Sequence, residues 1–209
     1  MKLIIVRHGE TLWNRHKRLQ GQMDVPISRI GLSQAKMLAE RLRNKKIDVI
    51  YTSRLQRAVK TAEEIKKFHR NAMIVKDKML NEMSWGIWEG LKIGYIKKKY
   101  RNIYGQRKKN KFNFQVPKGE SPKQLNKRVK KAIKKIIRQN KDKNILIVGH
   151  GGVNRTILGI LLKWGSRRII STRLNNASIS ILNIKNNKAR MSLFNNYHHL
   201  KNGSLPCSP

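Results

Sequence analysis

LIIVRHGET, residues Leu3 to Thr11, runs four apolar residues directly into arginine, histidine, glycine and glutamate. A short unbroken apolar run of this kind suits a strand buried on both faces. The pattern recurs at 145–152 as ILIVGHGG, which again ends on a histidine beside glycine. IDVIYTS (47–53) is a third such run, and MIVKD (73–77) reads as a further short strand. The third run leads straight into RLQRAVKTAEEIKKF, an amphipathic helix expected to be capped by Thr52 or Ser53. Strands alternating with helices imply a three-layer α/β/α architecture around a mostly parallel sheet.

Further helices follow from apolar spacing. LSQAKMLAERLR (32–43) carries Leu32, Ala35, Leu38, Ala39 and Leu42 at helical intervals, with Gly31 just upstream. Ser121 and Pro122 open a long helix striped by Leu125, Val129, Ala132, Ile133, Ile136 and Ile137, an ordinary core-packing stripe. Another helix is expected from about Asn154 to Leu162. Residues 84–119, rich in glycine and without an acidic residue between Glu89 and Glu120, read as loop. SISILNI (178–184) and ARMSLFN (189–195) form a hairpin turning at Asn186 and Asn187. No repeat or linker divides the chain, so residues 1–200 are expected to be a single domain and 201–209 a frayed tail.

Composition narrows the class. With 209 residues, 39% hydrophobic content and five prolines, the chain can bury a core of its own. Its one cysteine, Cys207, admits no internal disulfide and no Cys/His metal spacing, which suits a cytoplasmic location. The apolar run before Arg7 is too short for a signal peptide. The longest other run, near Ile157 to Leu162, is interrupted by Gly159 and closed by Lys163, so no membrane association is expected. The charge is unusual: 48 Lys+Arg against 11 Asp+Glu, net +37. Such a surface attracts polyanions, yet the lysines lack the arginine–aromatic interleaving of a single-strand groove, so nucleic acid is expected only as an incidental ligand.

If the strands are parallel, their ends meet along one edge, where ligands of open α/β sheets bind. Arg7-His8, Thr52-Ser53 with Arg57 just beyond, and Gly149-His150-Gly151 then converge, and the helix starting near Ser53 aims its positive end there. Two arginines, two histidines and a helix start suit a phosphate monoester, since the guanidinium fork bonds two phosphate oxygens at once. No carboxylate or cysteine cluster offers metal ligands, so no metal and no cofactor is expected. Phosphoryl transfer needs a nucleophile and a proton donor. A neutral imidazole serves as the first. Glu82, at the head of the aromatic, glycine-rich loop LNEMSWGIWEG, leads for the second, with Glu10 and Glu89 as competitors.

These motifs resemble the histidine phosphatase superfamily, the phosphoglycerate mutase-like fold. RHGET, YTSRLQRAVKTAE, the E-x-x-x-G-x-W-E-G loop from Glu82 to Gly90, GES at 119–121 and VGHGGVNR stand in the family's order between Leu3 and about Leu200. The resemblance implies that His8 becomes phosphorylated, that Arg7, Arg57 and His150 line the phosphate pocket, and that Glu82 donates the proton. It also implies that Asn14 contacts the phosphate, that Gln20 and Gly21 sit beside the substrate, and that Gly151 adjoins the pocket. His199, in FNNYHHL, receives no catalytic role.

The compact SWGIWEG directly after Glu82 is similar to the phosphatase branch, the broad-specificity and α-ribazole phosphatases, because the cofactor-dependent mutases usually carry an insertion there. The expected activity is therefore that of a histidine acid-type phosphatase acting on a small phosphomonoester, with a homodimer compatible. Two alternatives stay open: a cofactor-dependent phosphoglycerate mutase, and a polyanion-binding protein on the same fold with little turnover.

Overall fold

A computed structural model describes residues 1–186 and 188–200. The first strand, β1 (Lys2–Arg7), is followed by a single capped turn, α1 (Leu12–Arg15), then α2 (Arg29–Leu42), β2 (Val49–Thr52), α3 (Gln56–Lys66) and β3 (Met73–Lys76). Two helices, α4 (Ile93–Lys99) and α5 (Arg101–Lys109), precede the long α6 (Pro122–Gln139). Then come β4 (Ile145–Gly149), α7 (Gly151–Leu161), α8 (Ser166–Ser171), β5 (Ile179–Lys185) and β6 (Lys188–Asn196).

The strands form one six-stranded sheet in the order β3-β2-β4-β1-β5-β6. β1 to β4 pair in parallel, while β5 and β6 add an antiparallel edge. The expected mostly parallel sheet, with helices on both faces, is therefore the observed one. Side chains of a strand alternate between faces, and here both faces are covered. Leu3, Ile5, Ile145 and Ile147 pack against α6 and α7, whereas Ile4, Val6, Leu146 and Val148 pack against α2 and α3. Each such burial contributes about 1.5–3 kcal/mol, which makes an apolar run of this length hard to place anywhere but the sheet centre.

Register decides where the site lies. Arg7 pairs with Gly149 across β1 and β4, and Thr52 pairs with Val148 across β4 and β2. One residue further along each strand stand His8, His150 and Ser53, so the three polar ends emerge side by side.

Several boundaries differ from the sequence expectation, each for a physical reason. Helix α2 starts at Arg29, not Leu32, because Ser28 caps it by accepting a hydrogen bond from Gly31 N at 3.0 Å. Gly31 lies inside the helix: a Cβ there would meet Glu10 O at 1.9 Å, so this glycine allows close approach and marks no boundary. Helix α3 is not capped by Thr52 or Ser53; Asp24 supplies the acceptor, taking Gln56 N at 2.7 Å. Helix α7 begins at Gly151 directly after His150, three residues before the expected start.

The expected loop at 84–119 holds α4 and α5. Gly94 and Gly105 suggested turns, but each sits in a helix with open space around its α-carbon. Ile96, Trp88 and Val116 bury a small core beneath these helices, with Tyr104 tilted against Trp88 at 6.2 Å. The short helix α8 is an addition to the sequence reading. In the hairpin, Asn186 takes a left-handed backbone with φ of 49°, as expected of a turn, and Asn187 lies outside the described residues. The tail, 201–209, lies outside them too. Among the described residues no helix is long and apolar enough to cross a membrane.

Candidate active site

The two histidines stand with ring centroids 5.1 Å apart and are almost wholly buried, His8 at 3% exposure and His150 at 0%. His8 Nδ1 lies 2.6 Å from the carbonyl oxygen of Gly9. A carbonyl only accepts, so Nδ1 carries the proton and Nε2 bears the lone pair. His8 N donates to Gly149 O at 3.0 Å, which ties the nucleophile candidate to the end of β4. His150 Nε2 meets Ser53 Oγ at 2.7 Å, and Ser53 Oγ accepts from Leu55 N at 3.2 Å. Ser53 thus orients the second imidazole and does not cap α3.

Both imidazoles are pushed well below the usual histidine range, first by burial and then by the Arg57 guanidinium, with Arg7 adding to the effect. They are neutral in the folded protein. Unfolded, each takes up a proton as the pH falls through about 6.5. Where the unfolded state binds more protons, stability drops as pH drops. The pair is therefore silent above neutrality and costs about 1.4 kcal/mol per pH unit for each histidine below pH 6.5. Thermal melts between about pH 7.5 and about pH 5.5 are expected to show this loss; a melting temperature that held constant would mean that the imidazoles protonate within the fold.

The two arginines are clamped by carbonyls. Arg7 Nη1 donates to Leu174 O at 2.6 Å, and Arg57 reaches Met23 O and Gly21 O, each at 2.8 Å. Burial lowers both guanidiniums, Arg57 to about 10, and the Glu82 carboxylate opposes that shift. The clamps leave Arg7 Nε and Arg57 Nε buried without a partner, as is His150 Nδ1. An unsatisfied buried polar group costs about 1–3 kcal/mol. Together with the charge of the two guanidiniums, these three atoms make the surroundings of His8 electropositive and short of hydrogen-bond partners, which suits an oxyanion.

Glu82 is half-buried at the cavity wall. Its Oε2 accepts from Gly152 N at 2.9 Å and its Oε1 from Met83 N at 2.8 Å. Gly152 is in the first turn of α7, so the carboxylate rests on a helix start. A Cβ at Gly152 would come within 2.4 Å of Oε1, which explains the last glycine of the GHGG run. Behind Glu82, Arg128 uses its donors on the turn itself: Nη1 bonds Met79 O and Asn81 O, Nη2 bonds Glu82 O, and Nε and Nη2 hold Glu120 at 3.0 and 2.7 Å.

The competing carboxylates are otherwise engaged. Glu10 is 2% exposed and bonded by Arg15 at 2.7 Å. Glu89 Oε1 accepts from Gln22 N, Ser84 Oγ and Trp85 N, and so fastens one loop to another.

A cleft of about 1490 Å³ opens over the strand ends, with Arg7, Glu82, Asn14, Gly151 and Gly152 in its walls. His8, Arg57 and His150 stand behind this wall, with His8 and His150 each one residue from a wall residue. Asn14, in the cleft wall, has its Oδ1 accepting from Thr11 N, Thr11 Oγ1 and Asn176 Nδ2. Gly151 is 3.8 Å from Arg7 Nε, measured from an ideal Cβ. Gln20 and Gly21 are not among the residues of the cleft wall. Gln20 is buried, and Gly21, with φ of +53° and Glu89 against it, lends its carbonyl to Arg57. The start of α3 does not serve the site either, since Asp24 occupies it. Among the described residues no cluster of three or more His, Cys, Asp or Glu side chains is arranged to hold a metal.

Among the wall residues that the sequence reading did not single out, Asn176, from the stretch before β5, donates to His8 O at 3.0 Å and had no local signal. Arg155 was legible only with α7 begun at Gly151, which puts it one turn on, on the Gly151 face.

Residues 3–197 match the model of the histidine phosphatase superfamily, branch 1. The chain is 30% identical to phosphoserine phosphatase 1 of Hydrogenobacter thermophilus over 88% of its own length and 87% of that protein. It is 32% identical to a Yersinia pestis protein named as a phosphoglycerate mutase, GpmB, over 86% and 83% of the two chains. The crystal structure of the α-ribazole phosphatase from Shigella flexneri superposes with a TM-score of 0.87 at 25% identity, covering 94% of this chain and 97% of that one.

Proposed function

This chain belongs to the histidine phosphatase superfamily, branch 1, and on that premise we propose that it is a metal-independent phosphomonoesterase that works through a phosphohistidine on His8. The carrying observation is the neutral His8, its Nδ1 proton fixed on Gly9 O, set among three orphaned nitrogen atoms of Arg7, Arg57 and His150.

In the first step His8 Nε2 donates its lone pair to phosphorus and the bond from phosphorus to the ester oxygen breaks. The leaving oxygen takes a proton from the Glu82 carboxyl. Arg7, Arg57 and His150 stabilise the charge on the equatorial oxygens. Water then attacks the phosphohistidine, passes a proton to the Glu82 carboxylate and releases inorganic phosphate, which restores His8. Arg128, by holding the carbonyls of Met79, Asn81 and Glu82, keeps Glu82 where both proton transfers need it.

The mutase reading differs only in what meets the phosphohistidine, and the 32% identical relative carries that name. Phosphate release from an aryl phosphate is expected to proceed unchanged in EDTA; loss of activity on chelation would overturn the metal-free mechanism. With 3-phosphoglycerate and catalytic bisphosphoglycerate, phosphate release is expected to exceed isomerisation. The opposite ratio would establish the mutase. The basic surface supports faster arrival of anionic substrates and incidental binding of polyanions.

A further inference from the structure

The second imidazole of the site is held by a hydroxyl whose other hydrogen bond leaves it one role. Ser53, just past the end of β2, and His150, just ahead of α7, are both wholly buried. Ser53 Oγ meets His150 Nε2 at 2.7 Å and Leu55 N at 3.2 Å, and these are its two partners among the described residues. The Leu55 amide can only donate, so it occupies a lone pair of Oγ. The hydroxyl proton is then left with one acceptor in reach, the ring nitrogen Nε2.

Were Nε2 to carry the ring proton, it would donate to Oγ, and the serine proton would be buried without an acceptor, at the full desolvation cost of that group. Only with the ring proton on Nδ1 is the hydroxyl satisfied. Protonation of both nitrogens would strand the serine proton in the same way, and burial together with the Arg57 guanidinium opposes it. His150 Nδ1 is itself buried and has no partner among the described residues. Its N–H is thus a donor that the fold leaves unanswered.

The ring centroid of His150 stands 5.1 Å from that of His8, whose Nδ1 proton is committed to Gly9 O. The two rings share a tautomer and differ in what it leaves open. His8 keeps a lone pair on Nε2; His150 keeps a proton on Nδ1.

We propose that Ser53 is a positioning residue that fixes the tautomer of His150, so that a proton, and not a lone pair, meets an oxygen of the phosphoryl group at His8. The opposite tautomer would set a nitrogen lone pair against an anionic oxygen and repel the group it should hold. The phosphoryl group rests on the phosphatase reading; the tautomer does not.

The tautomer is read by proton–nitrogen correlation NMR on the full chain, its imidazoles labelled with the heavy nitrogen isotope and assigned through the bonds to the backbone. At neutral pH His150 is expected to show a protonated Nδ1 and a bare Nε2. Saturating inorganic phosphate is expected to move the Nδ1 proton downfield, as a hydrogen bond to an anion does. Ser53→Ala is expected to mix the two tautomers and to weaken phosphate binding roughly tenfold, the worth of one hydrogen bond to a charged group. Ser53→Thr keeps the hydroxyl and is expected to restore both. A protonated Nε2 in the unmodified protein, an Nδ1 signal that phosphate leaves unmoved, or a Ser53→Ala protein with unaltered tautomer and affinity would each overturn the proposal. The first two are read without any variant, so a misfolded one does not shelter it. An enzyme with the expected tautomer and shift but no hydrolysis would count against the catalytic reading alone.

Discussion

His8→Ala is expected to abolish hydrolysis of aryl and alkyl phosphates alike, a loss on the order of 10⁴-fold or more, as removal of a covalent nucleophile does elsewhere. The reason is geometric. Nδ1 of His8 is committed to Gly9 O, and the neighbouring imidazole, His150, is committed through Nε2 to Ser53, so no second imidazole is free to turn and replace it. Arg7 and Arg57 are clamped by backbone carbonyls and do not depend on His8 for their position. The variant is therefore expected to stay folded and still bind phosphate. Quenching the unmodified enzyme during turnover in alkaline denaturant should trap an acid-labile, alkali-stable phosphoenzyme that the variant lacks. Retained activity in His8→Ala, or a trapped phosphoenzyme on another residue, would end the phosphohistidine mechanism.

Glu82→Gln is expected to lower kcat for alkyl phosphates by roughly 10²–10⁴-fold, the usual worth of a positioned proton donor. Glutamine preserves the shape, and its carbonyl oxygen can still accept from Gly152 N or Met83 N, so the loop should hold. The diagnostic is leaving-group dependence. A nitrophenolate departs without a proton, so formation of the phosphoenzyme from nitrophenyl phosphate should suffer far less than formation from an alkyl ester. Equal losses on both substrates in that step would show that Glu82 acts through the charge of the pocket and not as an acid. Glu10→Gln and Glu89→Gln provide the contrast, since those carboxylates hold Arg15 and a pair of loops, and their loss should act on stability more than on leaving-group sensitivity.

Much of the site was legible because local rules and chemistry agreed. LIIV and ILIV can bury both faces only in a sheet centre, and each ends on a histidine. Parallel pairing then had to bring His8 and His150 together, and the Arg7–Gly149 register does so. Legibility failed where a residue serves a neighbour distant in sequence. Gly31 looked like a boundary and is a close-approach glycine under Glu10. Gly21 carried no local sign that its carbonyl braces Arg57, 36 residues further along the chain. The glycines and lysines of 91–118 masked two helices whose burial depends on Trp88, Ile96 and Val116 meeting in space.

The sequence by itself determined the sheet and its parallel core and pointed to the candidate reacting groups, because unbroken apolar runs, helical spacing and residue chemistry are properties of short stretches. Tertiary structure alone decided how the candidate carboxylates are held, Glu10 and Glu82 both in the cleft wall and Glu89 away from it. Glu10, Glu82 and Glu89 are the same side chain in equally plausible motifs, and they are separated only by what reaches them: Arg15 for the first, the start of α7 for the second, loop amides for the third. It also decided that Asp24 takes the end of α3. Those outcomes depend on distances between residues far apart in the chain, which no local pattern encodes.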